Sequence, residues 1–213
     1  MPKRFLTELL RGYAALVFVD RAWLGAVFAC STFIFPNVGT AGLLGAVTGL
    51  VTATSLGFPK HHNRLYVLNS LLVGLSLGAF FEFSPYLAGL ILLSAFFTVF
   101  VTVGVADSLW RWDRLPALSL PFVLVAVLAA TIAHSYTGLH RYDALHVETA
   151  VWFGEGIDTF FNALGATYFT PHPLAGALLF AGIFLRSRYL ALLALSGYLV
   201  GLLVFSNLTN TPD

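Results

Sequence analysis

A short segment with two prolines is the part of the chain best suited to bind a small polar molecule. Residues 115–122 read LPALSLPF, which places Pro116 and Pro121 on either side of Ser119. A proline has no N–H and prevents the carbonyl one turn earlier from joining the helical hydrogen-bond ladder. In an apolar helix entry, backbone oxygens and the Ser119 hydroxyl can therefore face a narrow polar path. Such a row of acceptors suits a solute that carries N–H donors.

Two apolar segments of the chain resemble each other at a constant spacing. Residues 11–25 and 162–176 align with Gly25 opposite Gly176, an offset of 151 residues, and the same offset pairs Phe18 with Phe169. Weak internal symmetry of hydrophobic segments is typical of transporters whose two halves enclose a site near the membrane midplane. At this offset the second copy stops at the equivalent of about residue 62. The sequence therefore predicts an incomplete second repeat.

The composition is that of a membrane protein. Of 213 residues, 58% are hydrophobic and 10% are charged, and the mean hydropathy is +0.85. A soluble domain carries about a quarter charged residues, so this class is excluded. The net charge of +1 also excludes a nucleic-acid binder, which needs a basic patch. Apolar runs, most of them candidate membrane helices, occur at about 5–19, 22–36, 40–58, 65–81, 85–105, 116–135, 150–169, 173–186 and 189–206.

Some of these runs are too short to cross a bilayer alone. The shortest are 5–19, 22–36 and 173–186, and fifteen residues of helix reach only about 22 Å of a hydrocarbon core of about 30 Å. Partial helices of this kind are tolerated where they are buried in protein. Basic clusters at the N-terminus and at 60–64 would lie on opposite sides after three crossings, against the positive-inside tendency. We therefore predict that one run turns back.

The remaining polar residues do not form an enzyme site. None of the six histidines falls in a metalloprotease-like arrangement, and Ser119 has no nearby base, so we predict neither a metal nor a cofactor nor catalysis. Glu155 and Asp158 share a helix face near a helix start, where an interface role is favoured over metal chemistry. Cys30, the single cysteine, is predicted to be a small core residue. Asn69 is interpreted either as a helix-to-helix hydrogen-bonding residue or as a solute contact.

Four stretches together resemble the urea transporter family. They are 11–25, 68–74 (LNSLLVG), 115–122 and 162–176, in the order in which that family carries its motifs. The resemblance implies two inverted halves around a constricted pore, a homotrimer in the cell inner membrane, and passive, channel-like passage of urea. It also implies that phenylalanine rings sandwich the solute while hydroxyl and backbone oxygens accept its N–H groups. A neutral solute avoids the ionic desolvation penalty, which makes this mechanism physically reasonable.

The resemblance carries pore roles over to particular positions. Phe18 and Phe169 correspond to the slot aromatics, Ser119 to the hydroxyl at the constriction, and Leu68, Asn69 and Leu72 to the pore mouth. The remaining wall positions are Ala15, Leu16, Ala166 and Thr167. The chain departs from the family at Ala15 and Ala166, where relatives carry Gln or Glu, at Leu68, where they carry an aromatic residue, and at Ser119, where they carry threonine.

The sequence thus predicts an all-α integral membrane protein. We expect an inverted-repeat helical bundle with short or re-entrant pore helices and a truncated second repeat. The first unit would span 1–140 and the second 141–213. Passive urea transport is the predicted function. Two alternatives stay open, namely a channel for ammonia or a short amide and a non-conducting structural membrane subunit.

Overall fold

The computed structural model describes residues 2–142 and 152–209. Apart from one isolated β-bridge between Phe81 and Arg141, this part of the chain consists of helices and loops. The fold is therefore all-α, as predicted. The helices are α1 Pro2–Ala15, α2 Ala22–Thr32, α3 Pro36–Ser55, α4 Asn63–Phe80, α5 Pro85–Asp113, α6 Leu120–Ser135, α7 Glu155–Ala166, α8 Pro173–Arg186 and α9 Arg188–Thr209.

Helix length divides these elements into two groups. Helices α3 and α5, together with Arg188–Phe205 of α9, are long and apolar enough to cross a membrane. Helices α1, α2 and α8 have 14, 11 and 14 residues, which confirms the prediction that these runs are short. Helix α7 has only 12 residues, whereas the run at 150–169 suggested a full crossing. At about 1.5 Å per residue, α7 reaches about 18 Å.

Helix α4 lies at the centre of the bundle. Every residue of α4 from Tyr66 to Ala79 is buried, and the helix contacts α1, α3, α5 and α6. Its closest neighbour is α3, because glycines on both helices remove the side chains that would keep the backbones apart. A Cβ added at Gly45 would overlap the Ser70 carbonyl, and one added at Gly74 would overlap the Ala41 carbonyl.

Two helix boundaries differ from the predicted runs. Helix α5 continues to Asp113, beyond the predicted end at 105, and ends where Arg114 adopts a left-handed backbone with φ of 53°. An ion pair between Asp107 and Arg111, 2.8 Å, supports this polar last part. Helix α6 begins at Leu120 and not at 116, because Leu118 has a left-handed backbone with φ of 44° and its carbonyl accepts from Asn69 of α4.

The residues of the two predicted units share one hydrophobic core. Helix α2 packs against α8, and Phe28 of α2 lies beside Tyr168 with ring centroids 6.0 Å apart. Cys30, two residues further along α2, is exposed, so its predicted place in the core is wrong. The reason is geometric, since two residues rotate a side chain by about 200° around the helix from the buried Phe28.

Candidate functional site

The two repeat-related turns have the same backbone conformation. Phe18 follows α1, Phe169 follows α7, and both residues have φ of 57°. Left-handed phenylalanine is uncommon and costs strain, and such residues concentrate at functional sites. Matching amide-to-carbonyl hydrogen bonds close the two turns: Phe18 to Ala15, 3.1 Å; Val19 to Ala14, 3.1 Å; Phe169 to Ala166, 2.9 Å; and Thr170 to Gly165, 3.1 Å.

The helices that flank these turns also cross at matching positions. Gly25 of α2 lies against the backbone carbonyl of Leu10, and Gly176 of α8 lies against that of Phe161. A Cβ at either glycine would overlap that carbonyl carbon and oxygen. Each short helix pair therefore depends on one glycine at the same place in the repeat, and this close crossing fixes the position of the turn.

The two phenylalanine side chains have different surroundings. Phe18 is 78% exposed. Phe169 is half-buried and makes an edge contact with Phe122, with ring centroids 6.2 Å apart and an interplanar angle of 72°. Phe122 and Phe169 also line an open cavity of about 280 Å³, which Phe80, Phe81 and His134 border on other sides.

An ion network anchors the first turn. The Asp20 carboxylate lies 2.9 Å from Arg64 of α4 and 3.5 Å from Arg11 of α1. Arg11 also contacts Glu8 at 3.4 Å. At the repeat offset, Pro171 stands where Asp20 stands in the first copy, so the second turn lacks a carboxylate at this position. Partly exposed pairs of this kind contribute roughly 0–1 kcal/mol each.

The proline-bracketed segment forms a third strained turn. Leu118 has φ of 44°, and Pro121 occupies the first turn of α6. Ser119 is partly buried just before α6, where its hydroxyl makes no capping hydrogen bond while its carbonyl accepts from Val123 N at 3.2 Å. The predicted row of free carbonyls is only partly present, because the Ala117 and Leu118 oxygens already accept hydrogen bonds.

Asn69 is the residue whose side chain donates a hydrogen bond to the Leu118 carbonyl. Its side-chain amide donates to Leu118 O at 3.0 Å and to Leu65 O at 2.9 Å, and its oxygen accepts from Phe122 N at 3.0 Å. Its side chain is fully buried. Of the two roles considered for Asn69, these contacts are of the structural kind, although they hold a loop and not a neighbouring helix.

The structure brings half of the predicted site residues together. One hydrophobic cluster contains five of them together with Phe122; the five are Ala15, Leu16, Leu68, Leu72 and Phe169. Leu68 and Leu72 are one turn apart on α4 and are buried there, at 5% and 3% exposure. Outside this cluster, Ala166 and Thr167 are exposed at the end of α7, where the Thr167 hydroxyl donates to Leu164 O at 2.7 Å.

Phe122 is the site residue that sequence reasoning missed. It ends the LPALSLPF segment, directly after a proline, and it packs against both main hydrophobic clusters. Its aromatic side chain next to the predicted constriction could have indicated that Phe122 belongs to the site. The internal repeat could not indicate it, because the described residues contain no second copy of that segment.

A second cavity opens beside the same segment. It has a volume of about 660 Å³, lies near the start of α4 and the end of α5, and reaches Pro116 and Ala117. His61 and His62 line it with Asp107. Burial, and to a lesser degree the neighbouring His61, lower the pKa of His62, which therefore stays neutral to lower pH than an ordinary histidine.

Asp158 has a structural role at the start of α7. Its carboxylate accepts from the amides of Trp152 at 2.7 Å and Phe153 at 3.1 Å, and it is buried. The carboxylate therefore holds the loop that enters the helix. Its predicted partner in this role, the Glu155 side chain, lies outside the described part of the structure.

Comparison with protein-family models assigns the chain as a whole. The model described as urea transporter matches residues 6–212, which include all four stretches that carry the resemblance and every predicted site residue. The match agrees with the all-α membrane architecture. The chain belongs to the urea transporter family.

Proposed function

We propose that this chain provides a passive, channel-like path for urea across the bilayer. The observation that carries the proposal is the set of three left-handed turns, at Phe18, Leu118 and Phe169, in the segments that resemble the family's pore motifs. Backbone strain of this kind persists only where the surrounding structure holds it, and it is concentrated at ligand and switch sites. The strained turns present aromatic rings and the Ser119 hydroxyl.

The chemistry of the proposed path favours a neutral solute. The ten proposed site residues include no side chain that is charged at neutral pH. An ion would lose its hydration there without compensation, whereas urea loses only neutral hydrogen bonds. The hydroxyl of Ser119 can accept one of the urea N–H groups, because the helix does not use it as a cap.

The same residues support uncoupled transport. Proton-coupled carriers place ionisable side chains in chains across the membrane interior. None of the proposed site residues titrates near neutral pH, so urea would move down its own gradient. We place this path in the cell inner membrane, between two inverted halves to which units 1–140 and 141–213 contribute, and in a homotrimer, as the family resemblance implies.

Urea flux in proteoliposomes tests the proposal. Purified protein should accelerate urea entry over empty vesicles in stopped-flow light scattering, and a protonophore should leave the rate unchanged. The Ser119→Leu variant should reduce the rate to that of empty vesicles, because a leucine removes the hydroxyl and fills the constriction.

A matched serine separates this effect from general damage. Ser196 is exposed on α9, away from the proposed path, so Ser196→Leu should conduct like the parent protein. Parent flux no greater than that of empty vesicles would contradict the proposal. Equal loss of flux in both leucine variants would contradict the role of Ser119.

A further inference from the structure

The start of α6 lacks one helical hydrogen bond, and a side chain replaces it. In a continuous helix the amide of Phe122 would donate to the carbonyl of Leu118, four residues earlier. Here both groups bind the side-chain amide of Asn69, which donates to Leu118 O at 3.0 Å and accepts from Phe122 N at 3.0 Å. The amide of Asn69, itself buried, therefore bridges a pair of part-buried groups that lack their helical partners.

The bridge needs an amide in particular. One group to be satisfied is an acceptor and the other is a donor, and the asparagine side chain offers both kinds of partner on one rigid plane. The remaining Asn69 hydrogen-bond donor binds Leu65 O at 2.9 Å, one turn back along α4, which fixes the side-chain orientation. The side chain is 0% exposed. Asn69 has no group left with which to donate to a solute.

The bridge also spans the strained part of the segment. Leu118 has φ of 44°, a conformation that a leucine keeps only when its neighbours hold it. Ser119 lies between the two bridged residues, and Phe122 is itself one of them. The placement of the hydroxyl and of the aromatic ring therefore depends on the same pair of hydrogen bonds.

We propose that Asn69 is a positioning residue, which sets the solute selectivity of the path by holding the Leu118–Phe122 turn and does not contact the solute. The inference rests on the proposed urea transport, which it deepens. It replaces the solute-contact interpretation of Asn69 with a specific structural task.

The test compares Asn69→Leu with a matched neighbour, Ser70→Ala. Ser70 is also fully buried on α4, but its hydroxyl donates to Ala95 O of α5 at 3.2 Å, away from the proline-bracketed turn. In proteoliposomes we expect Asn69→Leu to lower the ratio of urea flux to methylurea flux by about tenfold, because the turn that carries Ser119 loses both hydrogen bonds of the bridge. Ser70→Ala should keep the parent ratio. Equal ratios in the two variants would overturn the proposal.

A second variant remains informative if Asn69→Leu fails to fold. Asn69→Asp has nearly the same shape, and its protonated carboxyl can still donate to Leu118 O and accept from Phe122 N. Its flux ratio should approach that of the parent at about pH 5, where the buried carboxyl is protonated. A ratio about tenfold below that of the parent at both about pH 5 and about pH 9 would overturn the bridge.

Hydrogen exchange separates failure of this inference from failure of the proposed function. If the parent protein moves no urea, the proposed function fails, but exchange at the Phe122 amide still reports the bridge. That amide should exchange at least about tenfold faster in Asn69→Leu than in the parent or in Ser70→Ala. Unchanged exchange in all three proteins would overturn the positioning role whatever the flux.

Discussion

Phe18 and Phe169 occupy the same backbone conformation but differ in what surrounds their rings. Phe169 packs on Phe122, which the proline-bracketed segment provides, whereas Phe18 is largely exposed. The strained turn therefore does not depend on burial of the ring. It is closed by backbone hydrogen bonds that are alike in the two copies.

This difference gives a prediction for the two rings. Phe169→Ala should lower the free energy of unfolding by about 1–2 kcal/mol, because it removes a half-buried ring and its contact with Phe122. Phe18→Ala should change it by no more than about 0.5 kcal/mol, since an exposed side chain loses little. Denaturant unfolding of both variants in detergent micelles measures this. Equal losses would show that the first ring is also packed in the folded protein.

Residue roles could be predicted only where type and neighbours along the chain decide them. The repeat pointed to Phe18 and Phe169, and the structure gives both the same unusual φ. Asn69 forms hydrogen bonds with two residues that follow it by 49 and 53 positions in the sequence, and no local sequence pattern predicts such pairs. Phe122 follows Pro121 directly, but its importance comes from its contact with Phe169 and from packing against both main hydrophobic clusters, which sequence alone does not show.

At the scale of elements, composition and run length predicted most of the helices, but they did not predict where the helices begin and end. The three shortest runs and the long runs at 40–58, 85–105 and 189–206 were predicted correctly in kind, whereas the long run at 150–169 contains only the 12-residue α7. The start of α6 shifted to Leu120 because Asn69 captures the groups that would have formed the preceding turn. The end of α5 shifted to Asp113 because a charged last turn can remain helical outside the apolar run.

The contact between α3 and α4 gives the element-scale prediction. Gly45→Ala should lower the free energy of unfolding by about 1–3 kcal/mol, because the new methyl group would overlap the Ser70 carbonyl and force the two helix backbones apart. Gly89 on α5 is the control, since an added Cβ there meets nothing within 4 Å. Gly89→Ala should be neutral or stabilise by up to about 1 kcal/mol through helix propensity.

Thermal unfolding of both glycine variants in micelles measures the difference. A Gly45→Ala protein as stable as the parent would mean that α3 and α4 can separate at no cost. In that case the central position of α4, and with it the support beneath Leu68, Asn69 and Leu72, would not depend on close backbone packing.

At the scale of the whole molecule, a buried hydrogen bond joins the two repeat-related parts across 155 residues. The Tyr168 hydroxyl donates to the backbone carbonyl of Tyr13 at 2.5 Å, and both side chains are fully buried. Tyr13 lies in the last turn of α1, where helix geometry leaves carbonyls without an internal partner. The second turn thus satisfies a group that the end of the first short helix leaves open.

Removing this hydroxyl should weaken the junction without disturbing its packing. Tyr168→Phe keeps the ring beside Phe28 but leaves the Tyr13 carbonyl unpaired in a buried place, so the free energy of unfolding should fall by about 1–2 kcal/mol. Tyr189→Phe is the matched control, because Tyr189 is 83% exposed and its hydroxyl can bind water or headgroups. If both variants unfold at the same temperature as the parent, the contact between Tyr168 and Tyr13 does not stabilise the junction of the two parts, and the packing of α2 on α8 must hold them together.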